Sequence, residues 1–178
     1  MIAYRPLQTL DLARIGDIDR TEGIDTLYVQ RGTELEPVRG DFSASAWREG
    51  DGPHSVDEQI EACEHYLAAG GTAIGAFAGE RLVGIGVVLP HLRPGVAQLA
   101  YLHVSNGFRG EGIGVHLATV LEEIARDAGD RVLVVSATPS ANTVGFYRRR
   151  GFAPTAEPLP ELLALEPEDV HMEKRLDS

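Results

Sequence analysis

At 178 residues the chain is long enough to bury one full core and short for two domains, so a single domain is expected over residues 1–178. Hydrophobic residues make up 43% and charged residues 24%, a globular composition that excludes disordered and fibrous classes. Sixteen basic residues against 27 acidic ones leave a net charge of -11, a field that repels a phosphate backbone and argues against nucleic acid as a partner.

No apolar run approaches the roughly 20 residues that span a bilayer, and the opening MIAYRPLQTLDLARIGDIDR lacks the basic-then-apolar layout of a signal peptide. The expectation is a soluble, cytoplasmic protein with no membrane partner. The single cysteine, Cys63, excludes an internal disulfide and reads as an inert buried thiol. With no cysteine cluster and no His-x-x-x-His helix pair, no metal is expected.

Up to about Gly70 the chain is polar. Apolar residues at 10, 12, 15 and 18, and again at 56, 60, 63 and 67, have helical spacing. Between them Arg31 to Pro53, rich in Gly, Pro, Asp and Ser, reads as a long loop around the only tryptophan, Trp47, which we expect to anchor that loop. From Asp17 to Glu64 there are 13 acids and four arginines, so most of the negative charge lies in this early segment.

The texture changes at Gly71. TAIGAFAG, a turn at Glu80-Arg81 and LVGIGVVL predict an antiparallel hairpin, and VAQLAYLHV predicts a third strand. Ile113, Leu117, Val120, Leu121 and Ile124 predict an amphipathic helix ending near Gly129. The continuously apolar VLVVSA over 132–137 predicts a doubly buried strand, and strand-helix-strand order predicts that it runs parallel to Ala97–Val104. Ser140 is positioned to cap a short helix through Arg150, stopped by Gly151, and the alternation over Asp169–Leu176 predicts an edge strand that a second subunit could pair with, giving a homodimer.

The chemistry concentrates in Arg109-Gly110-Glu111-Gly112-Ile113-Gly114, between a strand and a helix. Its glycines let backbone amides approach a ligand with no Cβ in the way, and the positive end of the helix dipole adds to them: an anion site suited to a pyrophosphate. A nucleotide P-loop fails because Gly112-Ile113-Gly114 stands where Gly-Lys-Ser/Thr is needed, and a dinucleotide fingerprint fails at Val115. A turn that binds nothing is the competing reading of the glycines alone.

The stretch from Leu99 to Phe152 resembles the acetyl-coenzyme A (acetyl-CoA) binding core of the GNAT superfamily of N-acetyltransferases. The resemblance rests on Arg109-x-x-Gly112-x-Gly114, the helix and buried strand after it, Ser140-x-Asn142, and Phe146-Tyr147-x-x-x-Gly151-Phe152; Val170 to Lys174 is similar to that family's last strand. It implies an α/β fold with a central, mostly antiparallel sheet, one parallel strand pair and flanking helices. Residues 71–178 would form the cofactor core, and residues 1–70, a strand and two helices in outline, the acceptor side. It further implies that the backbone of Leu102, His103 and Val104 pairs with the pantetheine arm and steadies the thioester oxyanion. The amides of Arg109, Gly110, Glu111, Gly112, Ile113 and Gly114 would hold the pyrophosphate, and Asn142 would bond the pantetheine. Tyr147 would protonate the departing thiolate, a role open to a phenol because it is protonated at neutral pH.

Relatives with a carboxylate on the strand before the glycine loop use it as the base; here Gln98 to Val104 contains none. His103, which shares a strand face with Tyr101 if no bulge intervenes, is one candidate base, with Glu22 and Asp25 as competitors. His54 and His65 have no spacing that singles them out. Arg148, Arg149 and Arg150 either offset the helix dipole or approach a cofactor phosphate. The acidic early segment would favour a cationic amine acceptor, small molecule or peptide. A non-catalytic acyl-CoA sensor or interaction module is the alternative function.

Overall fold

The computed structural model describes residues 1–177. Seven strands form one mixed sheet: β1 (Ile2–Pro6), β4 (Thr72–Ala78), β5 (Arg81–Arg93), β6 (Val96–Val104), β7 (Val132–Ala137), β9 (Val170–Arg175) and β8 (Ala153–Pro154), in that spatial order. Every pairing is antiparallel except β6 with β7. That parallel pair is joined through helix α2 (Ile113–Asp127), so the sheet has the mixed architecture expected from the sequence. Helices α1 (Val56–Ala68), α3 (Ala141–Arg149) and α4 (Pro160–Leu165) complete the set, and no helix is long and apolar enough to cross a membrane among the described residues.

Two apolar layers enclose the sheet. On one face, Ile113, Leu117 and Leu121 of α2 pack with Val83, Val88, Leu99 and Leu133, and α3 adds Val144. On the other, Leu12 and Ile15 of a 3-10 helix (Thr9–Asp17) join Cys63 of α1, Leu82, Ile85 and Val87. The first predicted helix is thus 3-10 rather than α, capped at Gln8, whose amide donates to Asp11 Oδ2 (2.8 Å).

Two parts of the chain depart from expectation. The presumed loop over Arg31–Pro53 begins as the second strand of a hairpin, β2 (Thr26–Arg31) with β3 (Glu34–Arg39), turned by Gly32 at φ 62°. Charged side chains and Pro37 hide its alternation: it is a hairpin of little burial, and propensity is a weak guide there. The last strand is not the sheet's edge. Strand β8 pairs with Glu173 and Met172, while Gln30 of β2 accepts from the His171 amide (2.8 Å) and donates to the His171 carbonyl (3.2 Å). The strand expected to be open to a second subunit is therefore largely covered by the chain itself.

Candidate active site

Strands β6 and β7 run side by side only where Val96–Leu99 face Val132–Val135; beyond that they part. A bulge in β6 supplies the cause. Between Val87 and Val88 the β5–β6 register slips, leaving Ala100 as an extra residue, and a bulge bends the strand that carries it. From Tyr101 to Val104 the pairing with β5 is regular again, so Tyr101 and His103 do share a face, their rings 4.7 Å apart. The β7-facing backbone groups of Ala100–Val104 consequently meet no strand.

One cavity of about 500 Å³ opens along that freed edge. It is lined by Leu102, His103 and Val104 of β6, by Arg109, Gly110, Gly112 and Gly114 of the loop, and by Asn142 and Tyr147 of α3. Gly110 and Gly112 take φ 82° and 84°, where any side chain would be strained, and Gly112 stands at the N-cap of α2 without a side-chain cap. The first amides of α2 are left without a side-chain partner, the arrangement that binds an oxyanion. Of the predicted set, Glu111 is exposed and outside the lining, and the Ile113 side chain is buried in the core, so only their backbone can serve the cavity. The Arg109 guanidinium faces elsewhere: it donates to the carbonyls of Val104 (3.1 Å) and Thr21 (3.0 Å), tying the early segment over the end of β6.

A second cavity of about 620 Å³ lies on the other side of the splay and shares Glu22, Leu102, His103, Arg109, Thr143 and Tyr147 with the first. Its walls carry four carboxylates, Glu22, Glu58, Glu166 and Asp169, against Arg20 and Arg109. Glu166 and Asp169 come from the turn between α4 and β9 and escaped the sequence reading, because nothing local marks them and α4 itself was not foreseen. Asp25 lines neither cavity and is exposed, and His65 packs near Tyr66, whereas His54 lines the second cavity. Most acids of the early segment point elsewhere: Asp17 accepts at Leu82, and Glu36 pairs with Arg31.

Burial, reinforced by Arg20 and Arg109, pushes His103 down to about 4, so it is neutral at physiological pH and a poor proton acceptor. Its ring is instead packed against Trp47 (5.2 Å) and Tyr101, and Trp47, only 8% exposed, anchors its segment as expected. Glu22 accepts a hydrogen bond from the Asn142 amide (3.1 Å), and the α3 cap is Ser140, which accepts from the Thr143 amide. Tyr147 is 5% exposed; burial, with Asp169 adding to it, pushes its phenol up, and it stays protonated. Arg150 serves neither the α3 dipole alone nor a phosphate: with Lys174 it grips the buried Glu122 of α2 (2.9 and 2.8 Å). Arg149 does line the first cavity, and Arg148 lies over the Tyr28 ring.

The acetyltransferase (GNAT) family model matches residues 40–152, more than half of the chain. The chain belongs to the GNAT acetyltransferase family and is an acyltransferase of that family. Among solved structures it is similar to nourseothricin acetyltransferase (TM-score 0.72, 20% identity, 99% of each chain). It is also similar to the PaiA N-acetyltransferase of Thermoplasma acidophilum in complex with coenzyme A (0.63, 17%, 98% of this chain and 99% of that one). A third is the ribosomal-protein-S18-alanine N-acetyltransferase of Escherichia coli (0.64, 14%, 100% and 96%). At these identities the likeness is one of fold. No curated protein matches in sequence.

Proposed function

We propose that the chain transfers the acetyl group of acetyl-CoA to a primary amine, on a small cationic molecule or a peptide, by direct attack in a ternary complex. The observation that carries this reading is the meeting of two cavities at the gap between β6 and β7, with Tyr147 in the wall of both. A thioester laid along Leu102–Val104 from one side and an amine entering from the other would meet there. In this reading the amides of Arg109 to Gly114 hold the pyrophosphate, Asn142 steadies the pantetheine, and a β6 amide stabilises the oxyanion. Tyr147, buried and protonated, gives its proton to the leaving thiolate. Glu22, bonded to Asn142 at the junction, joins the acceptor to the cofactor side. Residues 1–70 and 71–178 act as one unit, the first supplying much of the acceptor wall and the second the cofactor core; no step calls for a metal.

Three things support a cationic acceptor: the four wall carboxylates outnumber the two arginines, both arginines spend donors on backbone carbonyls, and related folds include enzymes named for small-molecule and protein amines. Supply of acetyl-CoA makes the cytoplasm the compartment we propose. The test is thiol release from acetyl-CoA across a panel of cationic, neutral and anionic amines. Tyr147→Phe should lower kcat by about 100-fold while acetyl-CoA affinity by calorimetry changes less than about threefold. Cofactor binding without turnover of any amine would instead mark an acyl-CoA sensor.

A further inference from the structure

We propose that Asp169 is the base that takes the acceptor's ammonium proton, an assignment that rests on the amine-transfer reading above. Asp169 ends the turn before β9 and lines the acceptor cavity together with Tyr147 of α3 and Val135, Ser136 and Ala137 of β7.

Glu22, Glu58 and His103 around that space are otherwise engaged, whereas Glu166 and His54 also line it and are both exposed. Glu22 holds Asn142, Glu58 accepts from the His54 amide (2.7 Å) at the start of α1, and His103 is neutral. The Asp169 carboxylate receives no hydrogen bond among the described residues and is half-buried. Burial and the neighbouring Glu166 push it up to about 7, and no cation opposes them. Glu168 is on its own turn, Tyr28 shares a neighbouring cavity's lining with it, and Tyr66 and Glu58 of α1 line the acceptor cavity; Arg20 and Arg109 line it too, with donors spent on Ser45, Val104 and Thr21.

The turn that carries Asp169 is held in place. His171, 4% exposed, is close to the Ser136 hydroxyl through Nδ1 (3.3 Å) and to the Glu166 carbonyl through Nε2 (2.9 Å), and the Asp169 amide donates to that carbonyl (3.3 Å). A carboxylate that is unpaired, shielded and fixed in position beside a cationic substrate's entry is suited to accept a proton at neutral pH.

The protons balance. Asp169 takes one proton from R–NH3+, and the free amine lone pair forms the C–N bond at the thioester carbonyl. Collapse breaks the C–S bond, and the thiolate takes the Tyr147 proton. The second proton on nitrogen restores the phenol, and Asp169 releases the first to solvent.

The test compares wild type with Asp169→Asn on spermidine, an aminoglycoside and an alanine-terminated peptide, using whichever the wild type turns over fastest. Wild-type kcat/KM should fall about tenfold per pH unit below an apparent pKa near 7. The variant should lose that limb and about 100-fold in kcat/KM at pH 7, with acetyl-CoA affinity within about threefold and a cooperative melt. A variant that keeps the limb, or that raises KM alone, overturns the assignment. If the wild type acetylates none of the three, the amine-transfer reading falls; carbon NMR of aspartate-labelled protein then decides on Asp169, and the absence of a carboxyl that titrates near 7 and vanishes in the variant overturns it.

Discussion

Asp169 bears a cost that can be measured without any substrate. Its carboxyl sits at about 7 in the folded chain against about 3.8 in an unfolded one, so between those values the native state binds the extra proton. The full penalty of the buried charge is present above pH 7 and fades as pH falls toward 4. It amounts to about 2–4 kcal/mol, after allowing for partial solvent contact. Asp169→Asn should therefore raise Tm by roughly 5 °C at pH 8 and leave it almost unchanged at pH 4.5, read by calorimetry at the two pH values. Such a gain, with loss of turnover, is the trade-off of a group kept for chemistry rather than stability. Cys63 shows the opposite case: burial pushes its thiol up to about 12, so it stays an inert core residue.

Among the elements, the close approach of α2 to β5 decides where the glycine loop lies. Gly84 and Gly86 face the helix, and a Cβ at Gly86 would stand 2.7 Å from Leu121 Cδ1 while one at Gly84 would stand 3.0 Å from Ile113 Cγ2. Leu121 is fully buried and has little room to rotate away. Gly86→Ala should cost about 1–3 kcal/mol in urea unfolding and weaken acetyl-CoA binding, because the helix whose first amides border the cavity is lifted from the sheet. The strands and helices between Gly71 and Gly151 were readable because each is periodic or continuously apolar and most are bounded by glycine or proline. The β2–β3 hairpin and α4 were not: neither buries a continuous face, so neither leaves a period in the residues.

Taken over the whole molecule, the net charge of -11 draws cations toward an opening whose wall is itself acidic. With a cationic acceptor such as spermidine, kcat/KM should fall several-fold between 50 and 300 mM salt, about where the screening length drops below the width of a cavity. A neutral amine should show little change under the same conditions. Equal salt dependence for both would assign the acidity to solubility alone.

The glycine loop, the parallel pair, the capped helix and Tyr147 all lie within one unbroken stretch, where spacing along the chain is spacing in the fold; that is why the family could be read from residues in a row. The second cavity is assembled from segments more than a hundred residues apart. Glu22 meets Asn142, and Asp169 comes to stand beside Tyr147, only after the hairpin and the final strand have docked. Whether His103 is neutral and Asp169 holds a proton depends on burial and on neighbours distant in the chain, quantities set by packing and absent from any local pattern of residues.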